Sequence, residues 1–89
     1  MTDDRYYIKV VYDHEGNLKP ERMGRITSKP ILTLYGYAIA NYICLADGTP
    51  YENKMLCTSQ VIEWHEDEDC VSFSTLNSKY VFERVNFTG

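Results

Sequence analysis

Short segments of alternating apolar and polar residues, separated by turn-forming residues, are the feature that most limits how this chain can fold. The first segment, RYYIKVVY from Arg5 to Tyr12, places one set of side chains on a single face of the chain, namely Tyr6, Ile8, Val10 and Tyr12. A period of two over residues of high β-propensity is typical of a half-buried strand. The run DHEGN that follows contains residues that accept positive φ, so we predict a turn there.

The next segments are less regular. RMGRITS, between Pro20 and Pro30, predicts a short strand in which Gly24 forms a bulge or a point of close approach. The segment Ile31 to Ala46 has apolar residues on both faces, so periodicity does not separate a buried strand from a helix. Its β-branched and aromatic residues favour two extended pieces or one bent strand, and a short helix from Tyr37 to Leu45 is the alternative.

The second half of the chain contains the clearest hairpin signals. Asp47 to Asn53 concentrates turn formers around an Asp-Gly pair, and strand patterns follow in KMLCTS, CVSFST and KYVFERV, with turns at HEDED and LNS. QVIEW either continues the strand KMLCTS or begins the next one. We therefore predict that residues 1–89 form a single all-β domain: a small antiparallel meander, or a highly curved sheet or barrel, of about six short strands.

Composition indicates a globular protein in a reducing compartment. The chain is 44% hydrophobic, and none of its apolar runs approaches the roughly 18 residues that a membrane span needs. The start MTDDRYY has neither the basic flank nor the apolar stretch of a secretory signal. Cys44, Cys57 and Cys70 are an odd number of cysteines in apolar β-patterns, which favours reduced thiols that act as small core residues. We expect a cytoplasmic protein without a membrane partner.

The charge of the chain narrows the class of partner. Its net charge is −4, with only nine lysines and arginines. General nucleic-acid binding is not expected, because a binder of phosphates needs a basic face. A basic protein surface is a better match for this charge, although modest acidity is also a route to solubility.

The acidic run between Glu63 and Asp69 is the one segment with several potential metal ligands. HEDEDC contributes His65, four carboxylates and Cys70, but it lacks the glycine and the spacing of a calcium loop, and zinc would need paired Cys or His ligands. Its place between two predicted strands explains the composition as a solvated hairpin tip. We therefore predict a turn and no metal site.

The sequence contains few features that indicate catalysis. Nucleophilic catalysis needs a serine or cysteine beside a base, and the two histidines, His14 and His65, both fall in predicted polar turns. The chain also contains no glycine-rich phosphate loop and no nucleophile elbow. We expect a protein that is not an enzyme and uses no cofactor. Trp64 is expected in the core, with a hydrogen-bond partner for its indole N–H.

The candidate binding residues are a pair of arginines and nearby tyrosines. Arg22 and Arg25 form the centre of the one basic cluster, and Tyr35 and Tyr37, with Tyr42 and Tyr51, offer aromatic surfaces for stacking. Guanidinium groups bind anions through paired hydrogen bonds, so this set suits a small anionic ligand or an acidic partner surface. The alternative is a solvated loop beside core tyrosines.

The segments TSQVIEW and STLNSKYVFE resemble a pattern of small β-rich proteins encoded by phages and mobile elements. Over this hairpin of about 30 residues the chain looks similar to the Thoeris anti-defense family, which sequesters cyclic nucleotide signals. The resemblance implies a counter-defence protein that occupies a host defence protein or its nucleotide signal, and it transfers no site residues. That family ends in helices, whereas this chain stops at VNFTG. The alternative function is a structural module that self-associates through its β-sheet as a homo-oligomer.

Overall fold

The structure is a computed structural model that describes residues 5–51 and 53–85. Within these ranges the chain forms seven strands and one turn of 3-10 helix at Pro20–Arg22, without an α-helix. The strands are β1 (Arg5–Asp13), β2 (Ile26–Ser28), β3 (Ile31–Leu32), β4 (Tyr37–Cys44), β5 (Met55–Glu66), β6 (Cys70–Thr75) and β7 (Ser78–Arg84). The predicted all-β class is confirmed.

The strands close into an antiparallel barrel. Strands β4 to β7 pair in chain order, β7 pairs with β1, and β1 pairs with β2. The ring is completed where β2 pairs with β4, with Ile26 opposite Cys44 and Thr27 opposite Tyr42. Six strands therefore form the barrel, and β3 is an additional strand on β4. Of the architectures predicted for about six short strands, the structure confirms the barrel.

The interior of the barrel is filled by large side chains from alternate positions of the strands. Phe73 lies at the centre of an aromatic stack, with ring centroids 5.1 Å from Trp64, 5.1 Å from Tyr80 and 5.9 Å from Phe82. Stacked rings of this kind stabilise a core beyond their burial alone. Trp64 packs against this core and donates its indole N–H to Glu66 Oε1 at 3.3 Å, as expected from the sequence.

Strand β1 differs from its predicted pattern at one point. The register between β1 and β7 is irregular between Ile8 and Val10, so the residues that face the core are Tyr6, Ile8 and Val11. A bulge adds one residue to a strand and so reverses which face the following side chains occupy. The predicted single face, continuing through Val10 and Tyr12, is therefore wrong beyond the bulge.

The ambiguous segment from Ile31 to Ala46 is extended. It forms β3 and β4, joined by a tight turn at Thr33–Gly36, so the strand interpretation is confirmed and the helix from Tyr37 to Leu45 is wrong. QVIEW continues the preceding strand, since β5 runs from Met55 to Glu66. No helix among the described residues is long and apolar enough to span a membrane.

The three cysteines lie on neighbouring strands as thiols, and their burial differs from the prediction. Cys44 and Cys70 are half-buried, and Cys57 is exposed. On β5 the neighbouring Leu56 faces the core, so alternation directs Cys57 outward. The prediction of three core cysteines is therefore wrong.

Candidate interaction surface

The turn that joins β3 to β4 has a fixed backbone. Thr33 N donates to Tyr37 O at 2.9 Å, Gly36 N donates to Thr33 O at 3.1 Å, and the Thr33 hydroxyl donates to Tyr37 O at 2.9 Å. Gly36 has φ of +91°, a conformation that glycine adopts without strain. These constraints hold the two central residues, Leu34 and Tyr35, in one position.

Apolar side chains at this hairpin project into solvent. Leu34 is fully exposed, Tyr35 is 80% exposed, and Ile31 and Leu32 on β3 are each about half exposed. Tyr35 stacks on Tyr37, with centroids 6.3 Å apart and rings 11° from parallel. Turn centres usually carry Gly, Asn, Asp or Pro, so a leucine and a tyrosine there are not explained by turn chemistry.

Two contacts tie the segment 29–36 to the second half of β5. Val61 N donates to Gly36 O at 2.7 Å at one end, and Lys29 Nζ lies 2.7 Å from Glu66 Oε2 at the other. The two ends of the segment therefore contact Val61 and Glu66, and Ile62, which lies between these two residues on β5, is 65% exposed. We call the exposed apolar residues of both segments the hairpin surface; its members are Ile31, Leu32, Leu34, Tyr35 and Ile62.

The acidic run borders the hairpin surface. The turn itself covers only residues 67–69, because β5 continues through Glu66, so the predicted turn at HEDED begins later than expected. Glu63 and Asp69 are largely exposed, and Lys29 and the Trp64 indole hold the pKa of the Glu66 carboxyl below its usual value by hydrogen bonding. Among the described residues no group of three or more His, Cys, Asp or Glu side chains is placed to hold a metal ion.

The two arginines of the predicted site contact tyrosines other than Tyr35 and Tyr37. The Arg22 guanidinium donates to the hydroxyl of the buried Tyr80 at 3.0 Å. The Arg25 guanidinium lies 5.3 Å from the ring centroids of both Tyr42 and Tyr51, within the range of cation–π attraction. Two of the tyrosines considered as stacking partners thus do contact Arg25.

The structure does not bring all four predicted site residues together. Tyr35 and Tyr37 lie next to each other at the hairpin, whereas Tyr42, the partner of Arg25, lies five residues beyond Tyr37 on β4. That separation is about 17 Å at the rise of an antiparallel strand. The arginine pair and the tyrosine pair therefore lie at different places on the barrel. Ligand binding by either pair stays a prediction.

The sequence interpretation missed most of the hairpin surface. Apolar residues on both faces of a segment predict burial, whereas Ile31, Leu32 and Leu34 are exposed. The signal that reveals them is the tetrad Thr33–Gly36, in which a leucine and a tyrosine occupy the centre of a turn ended by glycine.

Comparisons with protein-family models, with curated proteins and with solved structures give no match to this chain.

Proposed function

We propose that this chain is a non-enzymatic binding protein that acts by occupying a protein partner with its hairpin surface. The observation that carries the proposal is the exposure of Leu34 and Tyr35 on a turn whose backbone is already ordered by hydrogen bonds. Covering such side chains releases water from apolar area, and a rigid turn loses little entropy on binding. Tyrosine is also among the residues that most often dominate binding energy at interfaces.

The partner that fits this surface has an apolar pocket with a basic border. Exposed carboxylates follow Ile62 of the hairpin surface along the chain, at Glu63 and in the turn at residues 67–69, and the chain has a net charge of −4. Opposite charges across an interface steer association and penalise partners of like charge. An acidic or nucleic-acid partner would meet repulsion at this border, which supports a basic protein surface.

The proposed setting is counter-defence in the cytoplasm of a bacterium. It is supported by the resemblance of the C-terminal hairpin to small phage and mobile-element proteins. In this setting the partner is a host defence protein, and Arg22 and Arg25 are the residues that would contact an anionic signal molecule if the protein captured one.

The two histidines lie in exposed, polar surroundings. The Nε2 atoms of His14 and His65 lie 3.8 Å and 3.4 Å from carboxylate oxygens of Glu15 and Glu63, and both imidazoles are largely exposed. A general base that activates a nucleophile needs a hydrogen bond to a serine, cysteine or threonine. Neither histidine makes such a bond within the described residues.

The proposal is tested by capturing a partner from a bacterial extract and titrating the purified partner by calorimetry. The double variant Leu34→Ser/Tyr35→Ser removes the centre of the hairpin surface and keeps the turn glycine. We expect it to raise the dissociation constant roughly 30-fold or more, as for loss of about 2 kcal/mol at an interface hot spot.

The matched control is Leu76→Ser, which changes a leucine that is 65% exposed at the turn between β6 and β7. This control should bind as the wild type does, and it should pass through the same purification. If the double variant binds normally, or if the control weakens binding equally, the hairpin is not the binding surface and the proposal fails.

A second candidate function is self-association through the sheet. Among the described residues β3 pairs only with β4, so its outer backbone edge has no strand partner there. An unpaired edge with exposed Ile31 and Leu32 can add a strand from a second copy. This edge supports the alternative of a homo-oligomer.

A further inference from the structure

A cavity of about 480 Å³ opens at the rim of the barrel where β1 and β6 end and β7 begins. It shares no residue with the hairpin surface. Its lining is rich in hydroxyl groups and contains one lysine: the residues are Tyr12, Asp13, His14, Gly16, Ser74, Thr75, Ser78 and Lys79. Barrel mouths are common places for small-ligand sites, because several strands converge there.

Three of the lining side chains stand in one row across the sheet. Lys79 pairs with Tyr12 on β1 and with Ser74 on β6, and side chains that are directly opposite in antiparallel strands share a face. Within the described residues these three side chains make no hydrogen bond or ion pair of their own. An ammonium group, a phenol and a hydroxyl are therefore available as donors to one ligand.

A second polar group is built around the turn between β6 and β7. Ser78 and Thr75 are more than nine-tenths buried. The Thr75 hydroxyl accepts hydrogen bonds from Ser78 N at 3.0 Å and Asn77 N at 3.2 Å, which fixes the turn. Ser78 Oγ accepts from Lys19 Nζ at 3.4 Å on the buried face of β7, opposite to the face that carries Lys79, so this group orders the rim and does not reach the same ligand as Lys79.

The charges around this cavity favour an anion. Neither Lys19 nor Lys79 has a carboxylate partner within the described residues, whereas Lys9 and Lys29 are each paired with a glutamate. The one carboxylate in the lining, Asp13, already accepts from the backbone N–H groups of residues 15 and 17 at 2.9 Å through Oδ1. Uncompensated ammonium groups beside hydroxyl donors match the oxygens of a phosphate or a carboxylate.

We propose that this cavity binds a small oxyanion, with the Lys79 ammonium and the Ser74 and Tyr12 hydroxyls as its donors. The ligand class is a small molecule that carries a phosphate or a carboxylate group. Binding here is independent of the hairpin surface, so the protein can hold a small ligand and a protein partner at separate places.

The test is a titration of ¹⁵N-labelled protein with inorganic phosphate and, separately, with acetate, each at a fixed ionic strength set by chloride. We expect amide resonances of Ser74, Ser78 and Lys79 to shift with a dissociation constant of about a millimolar, as for a solvent-open site with few contacts. Shifts with phosphate alone, with acetate alone or with both would each support the site and identify the anion it prefers.

Variants distinguish a built site from general attraction to a lysine. Lys79→Gln should weaken binding roughly tenfold or more, as for a lost hydrogen bond to a charged group, and Lys79→Arg should restore most of it. Lys54→Gln, an exposed lysine outside the cavity, should change nothing. The proposal is overturned if neither anion shifts the cavity resonances up to about 20 mM, or if Lys54→Gln weakens binding as much as Lys79→Gln does.

Discussion

At the scale of single residues, the carboxylate of Glu83 on β7 accepts hydrogen bonds from two side chains of β1. Glu83 Oε2 accepts from Lys9 Nζ at 2.9 Å, and Oε1 accepts from the Tyr7 hydroxyl at 3.0 Å. The Lys9 ammonium first, and the Tyr7 hydroxyl second, hold the pKa of the Glu83 carboxyl below its usual value. Burial and the nearby Glu83 raise the pKa of Tyr7. This cluster joins β1 to β7, which are neighbouring strands of the barrel.

The cluster predicts a dependence of stability on pH. A carboxyl whose pKa is lowered by folding stabilises the native state above its unfolded pKa of about 4.3, and this contribution is lost as pH falls through the folded pKa. Glu83→Gln should therefore lower the midpoint of urea unfolding at pH 7, and the difference from the wild type should shrink as the pH falls to about 3. A difference that is the same at both pH values would show that the charge of Glu83 does not contribute. Lys9→Gln should reproduce part of the effect, because the bond to Tyr7 remains.

At the scale of elements, the segment that leads into β2 depends on a close approach at Gly24. Gly24 N donates to Ile8 O at 2.7 Å, and Ile8 N donates to Arg25 O at 3.0 Å, so pairing with β1 begins before β2 itself. A Cβ on Gly24 would lie 2.9 Å from the Cβ of Ala46 in the turn after β4. The sequence interpretation of Gly24 as a point of close approach is confirmed.

Gly16 provides a matched control for this approach. Both glycines have nearly the same φ, +86° for Gly24 and +87° for Gly16, but a Cβ on Gly16 would meet nothing within 4 Å. Gly16→Ala should cost about 1 kcal/mol of unfolding free energy from the positive φ alone. Gly24→Ala should cost roughly 1–3 kcal/mol more, because the added methyl overlaps Ala46. Equal losses in urea unfolding would show that Ala46 moves aside without cost.

Some elements of the fold can be predicted from sequence patterns, and others cannot. Turns and strands with local signals, such as the Asp-Gly turn before β5 and the alternating Val71 and Phe73 of β6, could be predicted because each depends on a few adjacent residues. The bulge after Ile8 and the β2–β4 pairing could not, because both are set by strands distant in the sequence. Of the hairpin surface the sequence predicts only Tyr35, since the exposure of the other members depends on which neighbours the barrel supplies.

At the scale of the whole molecule, closure of the barrel leaves little backbone available for pairing with another copy. The unpaired outer edge at β3 is two residues long, and the charged Lys29 lies just before it. Short edges with adjacent charges are a common protection against sheet-to-sheet association. We therefore expect a monomer at micromolar concentration, despite the exposed hairpin surface.

Light scattering after size-exclusion chromatography measures the oligomeric state directly, because a monomer has a mass of 10.4 kDa. The mass should stay constant as the loaded concentration rises. A mass that doubles with concentration in the wild type, and returns to that of the monomer in Leu32→Lys, would establish the alternative of self-association through β3.

The pairing of β1 with β7 affects the order in which the strands pair while the chain is being synthesised. Tyr7 and Glu83 are 76 residues apart, so β1 receives β7 as its second neighbour only after the whole segment between them has been synthesised. The contacts that position the hairpin surface, between residues 29 and 66, are complete well before that moment. A nascent chain can thus present Leu34 and Tyr35 on a sheet that is still open, and the pairing of β1 with β7 follows later.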